Sequence, residues 1–156
     1  MKIEPMNRDY TLEYTKWEYA SPYEFYNTPP SGIGETMDEI LGDSGMDYYS
    51  VLDEDGALFG MYEYSFHGKI MEIGLGIRPE LCGQGYGKDF VRQCISFGRE
   101  KYAYTDVIRL MVADFNTRAI HLYRSVGFVE TDRINKVSFS KPVTFIVMEL
   151  GKDASL

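Results

Sequence analysis

Three glycines alternate in Cys82-Gly83-Gln84-Gly85-Tyr86-Gly87, directly after a strand-like run and ahead of a helix-like one. Residues without a Cβ let successive backbone N–H groups converge on an anion at the positive end of a helix, the chemistry of a phosphate or pyrophosphate seat. Two other phosphate motifs fail on spelling. GxxxxGK[ST] is excluded because Asp89 follows Lys88, and GxGxxG because the spacing here is G-x-G-x-G. Glycines that serve only a tight turn are the competing reading, and three of them ahead of a helix favour the anion seat. A second constellation is Asn116, Ala119, Ile120 and Tyr123, whose spacings return to one helix face, so that Asn116 and Tyr123 look at one place. A phenol of ordinary pKa ~10 is protonated at neutral pH and can donate to a leaving group. The bland alternative is a core tyrosine on an amphipathic helix.

These residues need elements to position them. The stretch before residue 46 is aromatic and acidic, with Trp17, Tyr19, Tyr23, Phe25 and Tyr26 ahead of the breaker Thr28-Pro29-Pro30-Ser31-Gly32. A short helix is expected over residues 36–42, capped by Thr36 and carrying Met37, Ile40 and Leu41 on one side. Strand periodicity starts at Tyr48. The runs Tyr48 to Leu52 and Ala57 to Phe66, joined by Asp53-Glu54-Asp55-Gly56, read as a hairpin. Lys69 to Ile77 follows His67-Gly68 as a third antiparallel strand. Beyond Pro79, the residues Phe90, Val91, Cys94, Ile95 and Phe97 mark one apolar helix face. Asp106 to Ala113 reads as a buried strand, and Thr117 to Val126 as a helix capped by Asn116 and stopped by Gly127. Strands near residues 128–132 and 143–150 close the chain. The expected fold is a mixed α/β (α+β) sheet in a single domain, 1–156.

Composition narrows the partners. Sixteen Lys and Arg against 24 Asp and Glu give a formal charge of −8, which argues against nucleic acid or an anionic membrane surface, since both demand a basic footprint. The charge is uneven: residues 1–60 carry 13 acids and 3 bases, residues 61–156 carry 11 acids and 13 bases. An acidic face kept for solubility and an acidic face that receives cations are both open readings. Two cysteines, Cys82 and Cys94, with neither CxxC nor a histidine pair at ligand spacing, fit reduced thiols and no metal site. No apolar run is long enough for a membrane span or a signal peptide, so a cytoplasmic protein is expected.

With these motifs the chain resembles the GNAT superfamily of acyl-CoA-dependent N-acetyltransferases. That family's loop R/Q-x-x-G-x-G/A is matched from Cys82 to Gly87, with Cys82 in place of Arg or Gln, and N-x-x-A-x-x-x-Y-x-x-x-G-F is matched in full by Asn116, Ala119, Tyr123, Gly127 and Phe128. The resemblance covers residues 47–150. It implies a central sheet of six to seven strands with an antiparallel amino-terminal meander, splayed central strands and about four helices. Residues 69–102 would carry the pyrophosphate loop, 106–128 the second cofactor and catalytic motif, and 1–46 the variable acceptor side.

It further implies acetyl-CoA as co-substrate, with no metal. Leu75, Gly76 and Ile77 would offer backbone groups to the pantetheine arm and the acetyl carbonyl, and Gly83, Gln84, Gly85, Tyr86, Gly87 and Lys88 would seat the pyrophosphate. Asn116 would contact the cofactor, and Tyr123 would protonate the leaving thiolate. Lys88, Arg118 and Arg124 are the bases near the phosphates, each equally readable as a solvated charge. A neutral amine nucleophile requires that a carboxylate or a water chain take the ammonium proton. Glu72 is the first candidate and Glu63 the second, with a solvated strand carboxylate as the alternative for Glu72. His67 and His121 read as surface residues. Cys82 reads as a structural thiol, so no acyl-enzyme is implied.

The function implied is acetyl transfer to a primary amine by direct attack in a ternary complex; the alternative is a non-catalytic acyl-CoA-binding or sensing module. The acceptor would be a small-molecule or peptide amine, cationic given the acidic half. A homodimer is possible within the family.

Overall fold

Why each segment folds as it does is visible in a computed structural model of the chain, which describes residues 1–138 and 140–152. Seven strands form a mixed sheet with four helices. In chain order they are β1 (Lys2–Pro5), α1 (Arg8–Thr15), α2 (Ile33–Leu41), β2 (Asp47–Leu52), β3 (Leu58–His67), β4 (Ile70–Ile77), α3 (Gly87–Lys101), β5 (Ile108–Ala113), α4 (Thr117–Val126), β6 (Val129–Ser138) and β7 (Lys141–Leu150). The sheet order is β1-β2-β3-β4-β5-β7-β6. This is the expected fold class, with the strand and helix numbers the resemblance implied. The described residues form two compact units, Met1–Ser65 with Leu75–Gln84, and Phe66–Gly74 with the chain from Gly85 on.

In the first unit, β1 and β3 flank β2 in antiparallel pairing, with Ile3 opposite Val51 and Tyr48 opposite Glu63. The β2–β3 turn is closed by Asp53, whose Oδ1 accepts from the N–H groups of Asp55 and Ala57 at 2.9 and 3.0 Å. Gly56 supplies the left-handed φ of +80° that this turn requires. Trp17, Ile40, Tyr48, Leu52, Leu58 and Met61 form one core cluster, with Met6, Tyr10, Tyr14, Tyr19 and Met46 packed against it.

Two elements here lack a counterpart in the periodicity reading. β1 is four residues long, and α1 is an eight-residue helix capped by Asn7, whose Oδ1 accepts from Tyr10 N–H at 2.8 Å. Both are too short for a pattern to stand out. The helix expected at 36–42 begins three residues earlier, at Ile33, and is not capped by Thr36. Pro30–Gly32 already forms a 3₁₀ turn whose chain runs straight into α2, which begins without a side-chain cap.

In the second unit, α3 buries Phe90, Val91, Cys94, Ile95 and Gly98, and α4 buries Ile120 and Val126. Full burial of a Phe, Val or Ile side chain stabilises by ~1.5–3 kcal/mol each. β5 pairs antiparallel with β7 from Ile108↔Leu150 to Ala113↔Phe145, and β7 with β6 as a long hairpin. That hairpin exceeds the expected strands at 128–132 and 143–150, because residues 133–138 and 141–142 continue the ladder without a buried face to mark them. β4 meets β5 in a parallel ladder of two register pairs, Met71↔Ile108 and Glu72↔Arg109. No helix of the described residues is long and apolar enough to cross a membrane.

Candidate active site

The segment joining β4 to α3 is a folded loop rather than a slack one. Arg78 N–H donates to Phe59 O at 2.9 Å and its guanidinium to Leu58 O at 3.2 Å, anchoring the loop to β3. Pro79–Leu81 make a 3₁₀ turn, and Gln84 Nε2 donates back to Glu80 O at 2.7 Å. The Cys82 thiol donates to the carbonyls of Ile77 and Arg78 at 3.6 and 3.7 Å, a structural placement consistent with the sequence reading. Gly83 and Gly85 take φ values of +75° and +89°, which L side chains rarely adopt.

The third glycine differs. Gly87 opens α3, and a Cβ there would lie 2.8 Å from Leu122 Cδ2, so its lack of a side chain serves the approach of α4. At Gly85 an added Cβ would meet nothing within 4 Å, so φ alone demands glycine there. α3 has no side-chain cap at Tyr86. The first-turn N–H groups of this 15-residue helix have no partner within the helix and lie at its positive end. Lys88 is exposed in that turn. This arrangement fits a pyrophosphate.

Leu75, Gly76 and Ile77, all half-buried, end β4 beyond its two-pair ladder with β5. Because Arg78 N–H faces β3, strand alternation turns the backbone groups of Ile77 and Leu75 away from β3 and those of Gly76 toward it. Leu75 and Ile77 are therefore better placed than Gly76 to serve a ligand. The Ile77 carbonyl already accepts from the Tyr19 hydroxyl at 2.7 Å as well as from Cys82. Around Gly76 an added Cβ would touch Tyr19 Oη at 3.7 Å, Trp17 Cζ3 at 3.8 Å and Met61 Cγ at 3.9 Å.

Asn116 caps α4, its Oδ1 accepting from Ala119 N–H at 3.2 Å. Gly127 ends the helix at φ +121°, donating to the carbonyls of Arg124 and Tyr123. Phe128 is buried, and its N–H reaches Tyr123 O at 3.0 Å. Much of the second motif thus builds and terminates a helix. Tyr123 is half-buried, one turn before the cap, with its ring edge-on to Phe128 at 6.0 Å. His121, Arg118 and Arg124 are exposed, and Arg124 lies 3.8 Å from Glu130.

The two candidate carboxylates have different company. Glu72 is 3.1 Å from Arg109 Nε and 3.5 Å from His67 Nε2, so it belongs to an ion cluster at the start of β4. His67, expected as a plain surface residue, is exposed but paired with that acid. Glu63 lies among the phenols of Tyr14 and Tyr48. Burial first, then the charges of Glu63 and Glu39, pushes both phenols well above the ordinary 10.0. Tyr14 and Tyr48 were invisible as a site in sequence. The register pair Tyr48↔Glu63 brings acid and phenol side by side, and only strand pairing reveals it.

Of the amino-terminal aromatics, Trp17 is core while Tyr19 and Phe25 each pack edge to face with Tyr26 in a loop closed by Tyr19 N–H donating to Asn27 Oδ1 at 2.6 Å. Among the described residues no group of His, Cys, Asp and Glu is arranged to hold a metal.

Compared with known proteins, residues 7–128 match the acetyltransferase (GNAT) family. Solved structures share the fold at low identity. A spermidine N-acetyltransferase SpeG K23-Q34 chimera from Vibrio cholerae and hSSAT has a TM-score of 0.75 at 20% identity, over 97% of this chain and 96% of that one. Spermidine N-acetyltransferase from Vibrio cholerae, in complex with CoA and spermine, has a TM-score of 0.71 at 19% identity, over 98% of this chain and 96% of that one.

Proposed function

Because the chain belongs to the GNAT acetyltransferase family, and so acetylates amines with acetyl-CoA as co-substrate, we propose that it acts on a cationic primary amine by direct attack in a ternary complex. The observation that carries the acceptor class is charge partition. Counted over the sequence, the first unit holds 15 acids and 4 bases, net −11, and the second 9 acids and 12 bases, net +3. Between Lys16 and Lys69 there is no Lys or Arg at all. Residues 1–46, read as the acceptor side, thus lie wholly in the strongly anionic unit. The spermine in a solved relative makes an aliphatic polyamine the first amine to assay.

When bound, acetyl-CoA supplies an acetyl group activated as a thioester. The uncapped α3 terminus with Gly83, Gln84, Gly85, Tyr86, Gly87 and Lys88 would hold its pyrophosphate. The N–H groups of Leu75 and Ile77 would orient the pantetheine arm and polarise the acetyl carbonyl. Asn116, whose side-chain oxygen caps α4, would contact the cofactor. A carboxylate takes the ammonium proton, and the freed amine nitrogen forms the amide bond as the carbon–sulfur bond breaks. The Tyr123 phenol then gives its proton to the departing thiolate.

In this reading Glu63 is preferred to Glu72 as the base, on two supporting observations. Met61, two residues before Glu63 on the same face of β3, touches the Gly76 corner. Glu72 lies four residues upstream of Gly76, ~13 Å along a strand, and is committed to Arg109.

Thiol release measured across an amine panel tests the reading. Tyr123→Phe should cut kcat by ~10²- to 10⁴-fold while acetyl-CoA affinity by calorimetry stays unchanged. Equal turnover would remove Tyr123 from the mechanism. The KM of the preferred amine should rise with salt, and a neutral or anionic favourite would return the acidic unit to a solubility role.

A further inference from the structure

Helix α3 ends so as to aim one phenol between two strands. Tyr104 N–H donates to Arg99 O at 2.9 Å and Ala103 N–H to Glu100 O at 3.4 Å, the paired bonds that close a helix when the residue after its cap turns left-handed. Ala103 makes that turn at φ +48°, where glycine is usual. The turn sends the half-buried Tyr104 back toward the sheet, its ring edge-on to Phe66 at 5.9 Å. The Tyr104 hydroxyl accepts from Met71 N–H at 3.2 Å and donates to the carbonyl of Val107. With Met71 N–H on the β5 side, the parallel register Met71↔Ile108 makes Met71 N–H to Val107 O the first rung of the ladder. The phenol stands between those two groups and carries the rung through its own oxygen.

That contact also fixes the phase of β4. Met71 N–H points to the β5 side and Arg78 N–H to β3, so uninterrupted alternation links two anchors at opposite ends of the strand. The N–H groups of Met71, Ile73, Leu75 and Ile77 therefore share one edge. Glu72↔Arg109 is the last register pair, its side chains joined at 3.1 Å, and beyond it that edge belongs to Leu75 and Ile77. We propose that Tyr104 is a positioning residue for the pantetheine arm of acetyl-CoA: by holding the first rung of the β4–β5 ladder it sets where the Leu75 and Ile77 N–H groups stand. This rests on the reading that those two groups meet the cofactor. Tyr104 acts through the backbone of β4 and not by contact. A strand rises ~3.3 Å per residue, so the anchor at Met71 lies ~13 Å from Leu75, with one further register pair between them to hold the strand. A change of angle at the anchor is thus magnified at the ligand groups, where small misplacements are costly.

Calorimetry on the full chain with two ligands tests this: acetyl-CoA, and adenosine 3′,5′-bisphosphate, which keeps the nucleotide end and lacks the pantetheine arm. Tyr104→Phe keeps the ring against Phe66 and removes the hydroxyl. Its Kd for acetyl-CoA should rise ~3- to 10-fold, while its Kd for the bisphosphate stays native and shows that the variant is folded at the loop. Phe66→Leu removes the ring contact and keeps the hydroxyl, so both ligands should bind as they do to the native chain. Native acetyl-CoA affinity in Tyr104→Phe, equal weakening of both ligands, or a Phe66→Leu chain that loses acetyl-CoA as selectively as Tyr104→Phe would overturn the proposal and leave the functional reading standing. A native chain with no affinity for acetyl-CoA would overturn that reading, and the proposal with it.

Discussion

The Tyr19 hydroxyl donates to the carbonyl of Ile77 at 2.7 Å, tying the loop after α1 to the last residue of β4. The segment proposed as the acceptor side and the strand proposed to hold the pantetheine arm are thereby joined by a hydrogen bond. Tyr19→Phe keeps the ring and removes the bond, at a cost of ~0.5–1.5 kcal/mol in urea unfolding. Under the proposed function the KM of the amine rises several-fold and acetyl-CoA affinity does not change. If both stay at native values, the loop has no part in placing the acceptor.

The two carboxylates separate by experiment. Glu63→Gln should lower kcat and abolish the acidic limb of its pH profile, because the group that accepts the ammonium proton is gone. Glu72→Gln should instead act on stability, by ~1.5–3 kcal/mol, because Glu72 and Arg109 are only 16% and 25% exposed and the substitution leaves the guanidinium without its charged partner. The reverse pattern would make Glu72 the base.

Gly87 and Gly85 should fail for different reasons. Gly87→Ala drives a methyl group into Leu122 Cδ2 and should cost ~1–3 kcal/mol, with Leu122→Ala in the same chain recovering part of it. Gly85→Ala meets only backbone strain, ~1–2 kcal/mol, and Leu122→Ala should not help. Thermal melts of the four variants decide this.

Alkaline stability follows from Tyr14 and Tyr48. Both phenols are raised above the ordinary 10.0, chiefly by burial and then by Glu63 and Glu39. Below that value folded and unfolded chains hold these protons alike, and the stabilisation is complete. Above it the unfolded chain releases protons that the folded chain keeps, so stability falls as pH rises, by up to ~1.4 kcal/mol per pH unit for each phenol. Tyr48→Phe should flatten that fall in urea unfolding at about pH 9 to 11.5, and an unchanged slope would show that Tyr48 titrates as it does in the unfolded chain.

Much of this was determined by sequence because the signals are local. Asn116, Gly127 and the apolar spacing between them specify α4 residue by residue: the cap, the φ of +121° and the buried face each depend on neighbours within a few positions. The left-handed turns at Gly56, Gly83 and Gly85 are local in the same way. Tertiary structure decided what depends on distant partners. That Glu72 meets Arg109 while Glu63 meets Tyr48 and Tyr14 is a matter of register and helix placement across many residues. That Gly87 must lack a side chain to admit Leu122 depends on the approach of two helices. The β6 run shows no burial pattern because neither face is covered, so its length emerges only from the ladder it forms with β7.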